Sequence, residues 1–411
     1  MRQSELFTKP RKDAPKDEIS KSASLLIRAG YIDKLHSGVY TYLPLGLRVL
    51  KNIENIIREE INSLGAQELL LPSLHPKENW EKTGRWSAMD DLYKVTDSSG
   101  REFALAGTHE EVIVPLMKQF ISSYKDLPVA VFQIQNKFRM ELRAKSGILR
   151  GREFIMKDLY SFHADEGNLG AFYERAKDAY ISIFKRAGIG ERTHFTYASG
   201  GSFSKYSHEF QTVTEAGEDT IHICMKCGVA INDEVKKEHD VCSDCGMAEF
   251  KKEKAIEVGN IFKLKTKYSE PFDLTFKNER GENEKVLMGC YGIGLGRLMG
   301  AVAEVCADDK GLAWPDALAP FRYHMLLLGA DAGTKRFAEE LYTEFGKKNI
   351  PVLYDDREGV SAGEKFSVAD LVGIPTRIVV SDTTVAKGMV EVKKRGEDAT
   401  KLVLGPDLLR M

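Results

Sequence analysis

Two extended stretches, Val131 to Glu141 and Arg152 to His163, are joined by a basic turn and read as one large β-hairpin in the middle of the chain. Such a hairpin is antiparallel, and the surrounding sequence does not read as a parallel βαβ sheet. Further strands are expected at Thr193 to Ala198, Phe210 to Thr214 and Ile256 to Leu264, with a helix from about Leu169 to Ala187. Upstream, Leu25, Leu26, Ala29, Ile32 and Leu35 recur at helical spacing after Ser20 or Ser22, which predicts one helix ending at Gly38. A second helix carries Leu47, Leu50, Ile53, Ile57, Ile61 and Leu64 and stops at Gly65. The strand that follows ends at Pro72, which cannot donate in a sheet interior and so marks an edge or an interface.

Near Trp314-Pro315 and Ala319-Pro320 the composition breaks, and strand and helix alternate from there on, so a domain boundary is expected near residue 320. The first 18 or so residues are polar enough to form a flexible arm. A chain of 411 residues, 43% of them hydrophobic, can bury the core of two or three domains. Its formal net charge of -2 gives no global pull toward nucleic acid, so any RNA surface must be a local patch. The absence of an apolar leader or a long apolar run predicts a soluble cytoplasmic protein with no membrane partner.

Chemistry concentrates at Phe138-Arg139-Met140-Glu141-Leu142-Arg143 and Leu149-Arg150-Gly151-Arg152-Glu153-Phe154. On a strand, residues 139 and 141 share a face, which sets a guanidinium that can fork onto a phosphate or carboxylate beside an acceptor for an exocyclic amine. Alone, an Arg-x-Glu is more often a solvated cross-strand ion pair. Its company changes that reading. Met288-Gly289-Cys290-Tyr291-Gly292-Ile293-Gly294-Leu295-Gly296-Arg297 ends a glycine-rich strand at an arginine opening a helix, where backbone can approach a polyphosphate closely. The spacing Gly294-x-Gly296-x-x-x-Gly300 misses the dinucleotide fingerprint.

Together these segments resemble motifs 2 and 3 of class II aminoacyl-tRNA synthetases, with Pro72 closing a stretch similar to motif 1. The match narrows to the bacterial prolyl enzymes through Leu105-Ala106-Gly107-Thr108-His109-Glu110-Glu111, Ser207-His208-Glu209-Phe210, Ile256-Glu257-Val258-Gly259 and Met288-Gly289-Cys290-Tyr291-Gly292. The resemblance implies an α+β catalytic domain with an antiparallel sheet (1–217 and 256–319), a small zinc-ribbon-like insertion (218–255) and a C-terminal α/β anticodon-binding domain (320–411). It implies that proline is activated with ATP and Mg²⁺ and then transferred to tRNA(Pro). Thr108 and Glu110 suit the proline ammonium and Arg139 its carboxylate, with His208, Glu209 and Cys290 at or near the pocket. For ATP, Arg139 suits the α-phosphate, Glu141 the adenine amine, Arg150 the outer phosphates and Arg297 the γ-phosphate; Arg143 is the candidate contact to the tRNA acceptor stem.

Cys224-x-x-Cys227 and Cys242-x-x-Cys245 are 14 residues apart and each pair is followed by a glycine, the spacing of two zinc knuckles. Four thiolates leave no open coordination position, so Zn²⁺ here is expected to be structural; a nucleic-acid-binding ribbon is the functional rival. Many bacterial relatives carry a large editing domain between motifs 2 and 3, whereas here only the cysteine segment separates Gly217 from Ile256. Hydrolysis of alanyl-tRNA is therefore not expected in cis and is left to a possible trans-editing protein. The family also implies a homodimer. A threonyl-type enzyme would hold its substrate with zinc in the core, where no ligand cluster is seen, and a synthetase-like regulatory RNA binder would not need every polar group of the site.

Overall fold

Nine strands form the sheet on which the larger unit of the chain is built: β1 (Gln67–Glu68), β2 (Val129–Phe138), β3 (Glu153–His163), β4 (Thr193–Ser199), β5 (Tyr206–Val213), β6 (Asp219–Cys224), β7 (Ala230–Asn232), β8 (Phe250–Lys265) and β9 (Leu287–Gly294). The computed structural model describes every residue except Asp17, Ile19, Arg143, Lys145, Ser202, Ser204 and Met411. The sheet order is β5-β4-β7-β6-β8-β9-β3-β2-β1, and β5 also pairs with β8, so five strands close on themselves at one end. This unit comprises His36–Tyr40 and Ile53–Ala301; a second comprises Met1–Leu35, Thr41–Asn52 and Val302–Met411.

The expected hairpin is present as β2 and β3, antiparallel from Val129 opposite Phe162 to Phe138 opposite Glu153. Its first strand stops three residues short of Glu141. The Arg152 N–H donates to the Gly38 carbonyl (2.7 Å), so the Arg139 carbonyl instead accepts from the Glu141 N–H (2.7 Å) in a tight turn. Arg139 and Glu141 therefore do not share a strand face; they flank a turn at the end of β2. The outermost strand is β1, as Pro72 suggested, although only Gln67 and Glu68 pair with β2.

Three helices position the site: α1 (Glu110–Met117), α2 (Glu166–Arg186) and α3 (Leu295–Cys306). α2 starts where the Asp165 carboxylate accepts from the Asn168 N–H, and its stripe Leu169, Phe172, Tyr173, Ala176, Tyr180, Ile183 and Phe184 is buried against one face of the sheet. Fully burying each aromatic of that stripe stabilises by about 1.5–3 kcal/mol. In α1, Pro115 has no N–H for the Glu111 carbonyl four residues earlier; the Asn79 side chain donates to that carbonyl instead (2.8 Å).

In the smaller unit, the strands Val352–Asp355, Tyr323–Leu327 and Thr376–Val380 run parallel, and Met389–Lys394 and Lys401–Leu404 extend the sheet antiparallel. The first helix is Lys21–Arg28, shorter than its apolar spacing predicts. Gly30 sits at φ +76, a left-handed conformation that ends the helix, and residues 32–36 are a strand. The polar N-terminal arm is docked rather than loose: the Gln3 N–H donates to the Tyr354 carbonyl (2.7 Å), the Tyr354 N–H to the Met1 carbonyl (2.9 Å), and Arg2 pairs with Glu339 and Asp356. An otherwise open edge of the strand Val352–Asp355 explains this docking. Among the described residues, no helix is long and apolar enough to cross a membrane.

Candidate functional site

The turn leading into α1 places Thr108 and Glu110 side by side, and the Thr108 hydroxyl donates to the Glu110 carboxylate. Cys290, on β9, donates its thiol to the other oxygen of Glu110 at 3.3 Å. These three residues, expected together from the sequence, do converge. A buried polar network holds the turn from behind. The His109 N–H donates to the Tyr160 hydroxyl (3.1 Å), which donates to Asp158 (2.9 Å), and Asp158 also accepts from Lys137 (2.7 Å) and Gln133 (2.9 Å). Burial opposes the charge on Asp158, but Lys137 and these donors hold its carboxyl below the usual range.

Beside this pocket, Arg139 donates through Nε to the Gly107 carbonyl (3.2 Å), and its guanidinium lies 5.4 Å from the centre of the Phe154 ring. Its terminal nitrogens make no hydrogen bond among the described residues. Burial, with Arg297 nearby, lowers its proton affinity against the pull of Asp91, so an arriving anion is favoured there. A cleft of about 400 Å³ opens here, lined among others by Arg139, Glu141, Arg150, Glu209, Glu257 and Arg297. Arg150 donates to Glu141 (2.8 Å) and Glu218 (3.0 Å), and Arg297 to Glu257 (3.0 Å). Of the groups expected to take up ATP, Arg150 and Glu141 are thus paired with each other and Arg297 with a neighbouring carboxylate. Such half-exposed ion pairs are worth only about 0.2–1 kcal/mol, so a triphosphate displaces them at little cost.

Glu209 lies on the cleft side of β5, where Gln211 bridges it to Asp219 (2.8 Å to each). Burial and the Glu257 carboxylate push it up to about 8. It therefore lines the cleft with Arg139, Glu141, Arg150 and Arg297, a cleft whose lining does not include Thr108.

His208 is a correction. Neighbouring residues of a strand face opposite ways, and with Glu209 toward the cleft, His208 faces α2: Tyr173 lies 2.6 Å from its Nδ1, and Phe195 and Tyr197 pack on its ring at 4.4 and 4.5 Å. Burial pushes the imidazole down to about 4. Relative to His208→Gln, the protein is expected to lose about 1.4 kcal/mol per pH unit as pH falls from the unfolded value near 6.5 toward 4, because unfolding then takes up a proton. Denaturant titrations of both proteins across that range check this.

The four cysteines come together, their sulfurs all within 4.8 Å of one another. Tetrahedral zinc with thiolates at 2.3 Å sets sulfurs about 3.8 Å apart, so the cluster fits that ion. Gly228 and Gly246 follow the pairs at φ +76 and +72, conformations that other residues rarely adopt. Arg143 lies outside the described residues. No role was expected from the sequence for Phe154, Asp219 or Arg85; Phe154 closes the quoted segment Leu149 to Phe154, but an aromatic near an arginine is too common a pattern to single out.

Residues 93–306 match the family described as tRNA synthetase class II core domain (G, H, P, S and T), and residues 324–404 one described as anticodon binding domain. The chain is 38% identical to the proline–tRNA ligase of Anaplasma phagocytophilum, over 100% of this chain and 99% of that one. It is 36% identical to that of Ehrlichia ruminantium over 98% and 97%. Against that of Staphylococcus saprophyticus it is 34% identical over 96% of each, in an alignment of 546 positions, so that relative carries a long stretch which these 411 residues lack. Among solved structures, a Giardia lamblia prolyl-tRNA synthetase in complex with prolyl-adenylate superposes with a TM-score of 0.78 at 19% identity, over 94% of this chain and 74% of that one. A Cryptosporidium parvum prolyl-tRNA synthetase complexed with L-proline and AMP gives 0.75 at 18%, with the same coverage. At that identity these structures establish the fold.

Proposed function

The chain belongs to the proline–tRNA ligase family of class II aminoacyl-tRNA synthetases, and from that membership and the geometry of its cleft we propose how it joins proline to tRNA in two steps. The observation that carries the reading is the unengaged fork of Arg139, set between the Glu110 pocket and the arginine-lined cleft. Glu110 and Thr108 take the secondary ammonium of proline, and Arg139 holds its carboxylate against the α-phosphate of ATP. No base is needed. A carboxylate oxygen attacks the α-phosphorus, the bond to the β-phosphate breaks and pyrophosphate leaves. A ribose hydroxyl at the tRNA 3′ end then attacks the prolyl carbonyl and AMP leaves.

Glu141 serves the adenine amine, Phe154 offers the base a flat apolar face, and Arg150 and Arg297 neutralise the outer phosphates. Glu209, Asp219 and Glu257 line the cleft but do not converge into a metal-binding group among the described residues, so Mg²⁺ would come with the triphosphate and supply further charge neutralisation there. Zn²⁺ on Cys224, Cys227, Cys242 and Cys245 is structural, and Arg143 is assigned to the acceptor stem. The division into 1–217 with 256–319, 218–255 and 320–411 remains our assignment of catalytic, ribbon and anticodon-binding parts. For the homodimer we assign the edge at β1, where Leu70 and Leu74 are exposed.

Residues 218–255 form β6, β7 and the start of β8, leaving no room for an editing fold. Purified chain is expected to charge tRNA(Pro) with proline and to leave alanyl-tRNA(Pro) no shorter-lived than in buffer. Because a pocket rejects a smaller apolar ligand only weakly, any editing must come from a separate protein. Failure to charge any tRNA(Pro) transcript would overturn the reading, and rapid alanyl-tRNA hydrolysis would overturn its editing clause.

A further inference from the structure

Beneath the Thr108–Glu110 turn lies Arg85, which no feature of the sequence marks out. Its side chain is 10% exposed, and Trp80, Phe203 and Tyr268 place their ring centres 5.3, 5.2 and 5.7 Å from the guanidinium. One terminal nitrogen lies 3.5 Å from Glu110 and 3.1 and 3.3 Å from the two oxygens of Glu111, and both carboxylates are fully buried. The Thr83 hydroxyl donates to Glu111 as well (2.9 Å).

A buried carboxylate is tolerated only with a counter-charge and satisfied oxygens. In the ligand-free pocket the proline ammonium is not there to supply that charge. Arg85 does so, and it meets the same Glu110 oxygen that accepts from Thr108, while Cys290 occupies the other. In direct contact, two carboxylates outnumber one guanidinium, with Lys137 and Lys267 acting on Glu110 from farther off. Burial, against the pull of Arg85 and with Glu110 adjacent, pushes the Glu111 carboxyl up to about 7, in keeping with that excess.

Resting on the prolyl-activating reading above, we infer that Arg85 is a positioning residue for amino-acid recognition: it fixes the Glu110 carboxylate in the orientation that accepts a secondary ammonium. Its effect passes through Glu110 and therefore concerns the ammonium alone. Arg85→Gln is expected to raise KM for proline by about 30-fold in pyrophosphate exchange, with KM for ATP within about twofold, and Arg85→Lys to recover part of the loss. The discriminating probe is tetrahydrofuran-2-carboxylate, in which a ring oxygen replaces the ammonium. Its inhibition constant should move less than about threefold in either variant, because it makes no charged contact with Glu110.

A parallel rise for proline and the oxygen analogue would mean that Arg85 merely shapes the pocket, and no rise for either would remove it from recognition; both overturn the inference. If Arg85→Gln does not fold, Arg85→Lys decides by the same pair of constants. Wild-type protein that exchanges pyrophosphate with no amino acid would strike the parent reading itself.

Discussion

Arg139→Ala is expected to lower proline-dependent pyrophosphate exchange about a thousandfold, the largest single effect in the cleft. Removing one charged donor aimed at developing charge costs about 3–4 kcal/mol in a water-excluded site. Arg139 is placed to serve two anions in turn, the proline carboxylate and the α-phosphate, so KM for proline should rise and kcat should fall together. The fold does not depend on this fork: among the described residues the side chain's contacts are one hydrogen bond to Gly107 and the face of Phe154, so the melting temperature should barely move. Arg139→Lys keeps the charge but loses the parallel pair of donors, and should recover only about tenfold. A loss of activity matched by a loss of folded protein would instead make Arg139 structural.

Removal of the metal from the cysteine cluster is the second large effect. Metal analysis is expected to find one zinc per chain, and chelation or Cys224→Ser with Cys245→Ser to lower the melting temperature by about 10 °C or more. Zinc binding in small thiolate sites is worth roughly 10–16 kcal/mol, and even a third of that is a large fraction of the stability of one unit. The cluster ties the end of β6 to the turn before β8: the Met225 N–H donates to the Glu249 carbonyl, and Cys224 is the last residue of β6. β6 and β8 also carry Asp219 and Glu257 into the nucleotide cleft, so stripped protein should show a several-fold rise in KM for ATP before it unfolds. Protein without zinc and with four freely reactive thiols would contradict this account.

Much of the site was legible because its chemistry is local in sequence. Thr108 and Glu110 are two residues apart, the glycine-rich strand runs directly into Arg297, and each cysteine pair closes on its own glycine. What escaped was set by distant partners. β2 ends at Phe138, before Arg139, because Gly38, a hundred residues upstream, takes the N–H of Arg152. Which way His208 faces depends on the pleat of β5 against α2, and the strand expected from the sequence began only at Phe210, so the alternation that separates His208 from Glu209 was not applied to them. Gly30 ended a helix whose apolar spacing continued into a strand, and the N-terminal arm is ordered by the edge of the strand Val352–Asp355, which sequence alone does not reveal. Arg85 was unreadable for the same reason: its partners, Glu110 and Glu111, come together with it only in the fold.

The most direct measurement is exchange of labelled pyrophosphate into ATP by the zinc-loaded protein, with proline, alanine, threonine, glycine and histidine as parallel substrates. Strong exchange with proline, weak exchange with alanine and none with the other three is the predicted result. Exchange that prefers any of the other four amino acids, or exchange with none of them by folded protein, would contradict the assignment of the Thr108, Glu110 and Arg139 site to proline activation.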